Sequence, residues 1–329
     1  MKLPSPIQIK QELPLQACAY VAKARETAIQ ILQRKDPRLA IIMGPCSIHD
    51  TKSALEYATR LKALSQRLPS FFPIMRVFVE KPRTQLDWKG MLYDPLLDGS
   101  HDILMGIRKS RQLLLDITHM GVPCAMELLE PNAVSYFDDL LVWGLIGART
   151  SASQPHRQMA SSLSFPVGFK NDLQGQLDVA VSSIISSQAP HSYLGIDSDG
   201  HIATIRTSGN PFTHLVLRGT DSGPNYHPDA IEDALERLES RHLQPTLLID
   251  CSHGNCNKDY KLQKGAFGSV MKQAALNPSI AGMMLESHLF SGKQPLLDDP
   301  ERLTYGVSIT DSCLGWEETE ELLHCAWLN

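Results

Sequence analysis

Residues 39–80 read LAIIMGPCSIHDTKSALEYATRLKALSQRLPSFFPIMRVFVE. The stretch opens on a continuous apolar run at 39–46. It then passes through a segment at 53–66 that places Leu55, Ala58, Leu61 and Leu64 on one helical face, and returns to a second run at 73–79. Apolar residues three or four apart make the buried stripe of a helix. Short runs without alternation suit strands buried on both faces, as in a parallel sheet. Outward from this unit, similar runs lie at 123–128, 144–148, 166–170, 214–218, 245–251 and 281–286. Helices are predicted over 103–119, 131–143, 157–163, 228–239 and 263–275. About eight βα units in roughly 250 residues is the arithmetic of an α/β fold of the (β/α)8 TIM-barrel type; an open doubly wound sheet is the alternative. Residues 190–206 break the rhythm with two β-like stretches around Asp197–Gly200, which predicts an added hairpin. We expect a single domain over 1–329, with an N-terminal extension and helix at 1–38 and the barrel at 39–322.

The 329 residues carry 31 basic and 36 acidic side chains, a net charge of −5, and only 6% aromatics. That balance weighs against nucleic-acid binding, which calls for a basic face or an aromatic platform. No uncharged apolar run approaches the ~18 residues of a membrane helix, so no membrane partner is expected. The start, MKLPSPIQIKQELP, does not have the apolar core of a secretion signal. Seven scattered cysteines then read as reduced thiols in a cytoplasmic protein.

In a barrel, chemistry gathers where strands end and βα loops begin. The first run ends in Cys46; the second holds Arg76 and leads to Lys81 and Arg83; the third ends with Glu127. The next three give Arg149, Lys170 and Arg218, the seventh leads to Asp250 and His253, the eighth to Glu286 and His288, and Asp311 follows. Six cations directed at one mouth would repel one another unless anions lie between them. A phosphate brings about −1.5 to −2 charges, and Arg forks match phosphate and carboxylate geometry. Two phosphorylated ligands, or one phosphate with further carboxylates, would use all six; taken singly, each cation reads equally well as one half of a salt bridge. Cys46, His253, Glu286 and Asp311 offer a sulfur, an imidazole and two carboxylates. That set is neither a closed structural zinc site nor an all-oxygen magnesium cage. It fits a divalent transition metal with room for a substrate oxygen, acting as a Lewis acid on a carbonyl. The local alternative Cys251-x-His253-x-x-Cys256 lacks a second pair.

The motifs GPCSIHD (44–50), EKPRT (80–84), IGARTSASQPHRQMASSLSFPVGFKN (146–171), LRG (217–219), DCSHGN (250–255), LESHL (285–289) and YGVSITDSCLGWEET (305–319) are long, ordered and specific. Through them the chain resembles the class I 3-deoxy-D-arabino-heptulosonate 7-phosphate (DAHP) synthases, from about residue 18 to 322. The resemblance implies a metal-dependent condensation of phosphoenolpyruvate with erythrose 4-phosphate that releases phosphate and opens the shikimate pathway to chorismate and the aromatic amino acids. It implies Cys46, His253, Glu286 and Asp311 as ligands of one divalent ion, Mn2+, Fe2+, Co2+ or Zn2+. Phosphoenolpyruvate would be held by Arg76, Lys81, Arg149, Lys170 and Arg218, with Glu127 and the backbone near Ala148. The turn Lys81, Pro82, Arg83, Thr84 would receive the sugar phosphate, and Lys81 would donate a proton. A homo-oligomer, dimer or tetramer, is the usual state of the family.

Regulated members of the family carry a longer N-terminal arm than this chain, and their effector pocket lies partly on the segment after the third strand. Here that segment reads EPNAVS at 130–135, unlike the usual residues, so inhibition by phenylalanine or tyrosine is not expected. At 172–175 the chain reads DLQG, where the family favours glycines. The rival readings are a synthase that takes arabinose 5-phosphate, a Schiff-base aldolase using Lys170 or Lys81, and a relative with a dead site.

Overall fold

The computed structural model describes residues 2–85, 87–297 and 299–327. Two helices, α1 (Pro6–Glu12) and α2 (Cys18–Leu32), precede the first strand. The chain then runs β1 (Leu39–Gly44), α3 (Thr51–Ser65), β2 (Phe71–Arg76), α4 (Ile103–His119), β3 (Cys124–Glu127) and β4 (Leu141–Ile146). It continues with α5 (Gln154–Ala160), β5 (Val167–Lys170), α6 (Leu177–Gln188), β6 (Ser192–Ile196), β7 (Ile202–Arg206) and β8 (Thr213–Leu217). The last elements are α7 (Pro228–Ser240), β9 (Leu247–Asp250), α8 (Gln263–Ala274), β10 (Ile280–Glu286) and α9 (Trp316–Trp327).

Eight of these strands close a parallel barrel in the order β1-β10-β9-β8-β5-β4-β3-β2, while β6 and β7 form a separate antiparallel hairpin. The fold is therefore the expected (β/α)8 barrel, with the hairpin where the break in rhythm placed it. Alternation along each strand builds two cores. Ile41 and Met43 face outward onto Tyr57, Ala58 and Leu61 of α3. Ala40 and Ile42 join Ile74, Val142, Val216, Leu248 and Met284 in the barrel interior. Val21, Ala24, Ala28 and Ile31 of α2 pack into that inner cluster, so the N-terminal helix plugs one end of the barrel and leaves the other for loops. Asp50 starts α3 by accepting from the backbone N–H groups of Lys52 and Ser53 at 3.0 and 3.1 Å, which satisfies donors the helix cannot. Among the described residues no helix is long and apolar enough to cross a membrane.

The segment 131–143 is not the expected helix. It holds a short 3-10 turn at Val134–Tyr136 and gives way to β4 at Leu141, three residues before the run read from the sequence. Val134, Phe137, Leu140 and Leu141 mimic helical spacing, yet the first three are buried from an irregular connection and Leu141 from the start of β4. Val142 and Trp143 belong to a strand covered on both faces, where a helical period carries no meaning. Helix α6 escaped the periodic reading because serines stand among its buried residues, Ser183 and Ser187 included. Helix α9 runs on to Trp327, past residue 322.

Candidate active site

At the carboxyl ends of the barrel strands lies a cavity of about 450 Å3. All six cations read from the sequence, Arg76, Lys81, Arg83, Arg149, Lys170 and Arg218, line it. So do Pro82, Thr84, Glu127, Ala148, Cys46, His253, Glu286 and Asp311. Barrel closure does this: Gly44 pairs with Glu286 across β1 and β10, so the loop carrying Cys46 rises beside Glu286. Gly147 leaves the space that Glu127 uses, since a Cβ there would stand 2.3 Å from a Glu127 carboxylate oxygen.

Cys46, Glu286 and Asp311 bring a sulfur and two carboxylate oxygens within 4.8 Å of one another. The Lys81 ammonium sits against two of these donors, 2.8 Å from Cys46 Sγ and 2.7 Å from Asp311 Oδ2. The donors thus already gather around a positive charge, and their chemistry suits a divalent transition metal. The fourth residue, His253, stands at the edge of the set: its Nε2 is 3.6 Å from Glu286 Oε1, and it is not part of the three-residue cluster. Cys251, His253 and Cys256 form no such cluster among the described residues; the Cys251 thiol is turned to the Ile249 carbonyl. His288, read as a strand-end residue, does not line the cavity. It is buried behind it, facing His49 with ring centroids 6.2 Å apart.

Electrostatics follow from these contacts. Burial and the nearby Glu286 carboxylate push the Cys46 thiol up to about 12, so binding a cation there means giving up a proton. Burial works to raise the Asp311 carboxyl, but the charge and hydrogen bond of Lys81 outweigh it and hold the group well below the usual carboxylate range. Burial likewise opposes the Lys81 charge, and Cys46, Asp311 and Glu286 more than offset it, raising its pKa.

The cations are not uniformly unpaired, which corrects the picture of six repelling charges. Arg76 pairs with Glu286 at 3.1 Å, Lys81 with Asp311, Arg83 with Asp87 at 3.1 Å and Lys170 with Asp250 at 2.6 Å. The barrel mouth supplies its own carboxylates, so part of the positive charge is neutralised at home. Arg149 and Arg218 have no ion pair among the described residues. Nη1 of Arg218 is buried without a hydrogen-bond partner, the state of a donor waiting for an acceptor. Sequence reasoning overlooked Lys258 and Lys293, which also line the cavity. Neither sits at a strand end, so the rule that found the others had no purchase on them. It overlooked Gln263 too, whose buried amide accepts from the Glu286 N–H at 2.9 Å and donates to the Glu286 carbonyl at 3.2 Å.

Comparison with known proteins agrees with this geometry. The DAHP synthetase I family pattern matches residues 7–324. The Tyr-sensitive phospho-2-dehydro-3-deoxyheptonate aldolase of Escherichia coli is 45% identical over 325 residues, covering 98% of this chain and 91% of that protein. The Trp-sensitive enzyme of Enterobacter agglomerans is 47% identical over 305 residues, 92% of this chain and 87% of that protein. The solved phospho-2-dehydro-3-deoxyheptonate aldolase of Francisella tularensis superposes with a TM-score of 0.97 at 40% identity, covering 100% of this chain and 96% of that one. A match of this length, on a closed barrel with its charged mouth in place, means that the chain belongs to the DAHP synthetase I family, the class I DAHP synthases.

Proposed function

We propose that this chain joins phosphoenolpyruvate to erythrose 4-phosphate with one divalent metal ion at Cys46, His253, Glu286 and Asp311; a C–C bond forms between the enol C3 and the aldehyde carbon, water adds at C2, and the C2–O bond to phosphate breaks to release inorganic phosphate. The observation that carries the reading is one cavity of about 450 Å3 lined both by the sulfur–carboxylate cluster and by the six cations. Phosphoenolpyruvate presents a phosphate and a carboxylate. The two guanidinium groups without ion pairs, Arg149 and Arg218, suit those anions, with Lys170 and Arg76 beside them. Held this way, the enol carbon faces the sugar aldehyde, and orientation removes much of the entropic barrier. Pro82, Arg83 and Thr84 place the phosphate of the sugar. When bound, the metal supplies Lewis-acid polarisation of the aldehyde. Lys81 holds a proton at Nζ between Cys46 and Asp311, within reach of an oxygen that gains negative charge there.

Metal-loaded protein given both substrates should release phosphate only when the sugar is present. Erythrose 4-phosphate should outcompete arabinose 5-phosphate, EDTA should abolish turnover, and borohydride should trap no substrate on Lys81 or Lys170. Phosphate release that is indifferent to the sugar would sink the proposal. We further propose a homo-oligomer, and an enzyme that phenylalanine and tyrosine do not inhibit. The second point rests on the EPNAVS sequence at 130–135, in the segment where the resemblance puts part of the family's effector pocket; several of these residues line a second cavity of about 540 Å3. Activity should stay flat to millimolar levels of either amino acid; a saturable inhibition curve would overturn it.

A further inference from the structure

Asp250 ends β9 with its side chain fully buried, and it does not line the cavity. A carboxylate in that position is costly unless its charge is compensated. The compensation is specific. Oδ2 lies 2.6 Å from Lys170 Nζ and 2.8 Å from His253 Nδ1. Oδ1 accepts from the Ser252 N–H at 3.0 Å and from the Ser252 hydroxyl at 2.5 Å. An imidazole whose Nδ1 faces a carboxylate carries its proton there, which leaves Nε2 as the free donor pair. That Nε2 is the atom turned toward Glu286.

His253 also needs holding. Its backbone sits at φ +57°, a left-handed conformation that non-glycine residues adopt at a cost and keep only when the surroundings impose it. The loop's own hydrogen bond to the ring comes from the Ser252 hydroxyl. Ser252 Oγ, 2.7 Å from Nδ1, is itself hydrogen-bonded to Asp250. The buried carboxylate therefore acts on the ring by charge, 2.8 Å from Nδ1, and through the Ser252 hydroxyl that it orients, and Lys170 is the counter-charge that makes it tolerable.

We propose that Asp250 is a positioning residue that aims His253 Nε2 into the Cys46–Glu286–Asp311 donor set, with Lys170 as its counter-charge. The inference rests on the functional reading above, in which His253 is a metal ligand. The test is Co2+ titration by calorimetry, on metal-stripped protein, of wild type, Asp250→Asn, Lys170→Met and the double variant. Asp250→Asn should weaken Co2+ binding 10- to 100-fold, the range seen when the partner of a ligating histidine is removed. Folded Asp250→Asn should show an altered Co2+ visible spectrum, which lost stability alone would not produce. If Asp250→Asn fails to fold, the double variant removes both members of the buried pair, a change proteins tolerate better. The double variant should bind Co2+ 10- to 100-fold more weakly than Lys170→Met. Affinities within twofold in both comparisons would overturn the inference and leave the functional reading intact. Wild-type protein that bound no Co2+ would instead sink the functional reading.

Discussion

Glu80 shows how far one side chain can be moved by its place. It is 1% exposed, next to Lys81 in the chain, and burial with the nearby Glu127 and Glu130 charges raises its carboxyl from 4.5 to about 8. The Tyr93 hydroxyl, donating at 3.1 Å, and the Glu130 N–H, at 3.4 Å, hold the value back from rising further. The native state thus keeps a proton that the unfolded chain gives up near pH 4.5. Its contribution to stability is fully present below that pH and is lost as pH rises toward about 8. Glu80→Gln should flatten this part of the pH profile and be relatively more stable at pH 8 than at pH 5. Urea midpoints of both proteins at the two pH values decide it; parallel slopes would show that Glu80 does not titrate in this window.

At the scale of elements, the question is what fastens the non-barrel pieces. Arg111 of α4 is fully buried and gathers two of them. It donates to the Leu13 carbonyl after α1 and to the Tyr136 carbonyl in the turn before β4, both at 2.8 Å. It also forks onto Asp139 at 2.8 and 2.7 Å. Arg111→Met should cost roughly 2–3 kcal/mol, the upper range for hydrogen bonds to a charged group with one side partly exposed. Chemical denaturation measures it, and a loss below about 0.5 kcal/mol, ordinary for a surface site, would mean that the hub adds nothing. The same segment is where the expected helix at 131–143 proved wrong. A periodic pattern reports which residues are buried, and an irregular connection tied down by Arg111 buries the same ones.

At the scale of the whole molecule, an ion bound between β1, β10 and the loop holding Asp311 would join the first and last strands of the barrel. Adding Co2+ to metal-stripped protein at about a hundredfold over its Kd should stabilise the native state by ~3 kcal/mol and raise Tm by several degrees. In Cys46→Ala the shift should shrink to near zero, along with most of the activity. A full shift in Cys46→Ala would place the ion elsewhere.

Much of this was legible beforehand. Strand and helix periods are local, so LAIIMG and SALEYATRLKALSQ announce a βα unit without any partner, and repetition of the unit implies closure. Residue chemistry at strand ends is local too, and it picked out the six cations and the four donors that line the cavity. Three things belong to the tertiary structure alone. Cys46 meets Asp311 across 265 positions because the register of β1 on β10 sets Gly44 against Glu286 and the Ser287–Leu314 bridge ties the Asp311 segment to the end of β10. Three of the six cations, Arg76, Lys81 and Lys170, are neutralised by carboxylates that the barrel brings to them. Asp250 faces Lys170 and His253 at once. Periodicity fixes which way a side chain points, but an ion pair depends on distances of a few ångströms between separate strands, and only the closed sheet determines those.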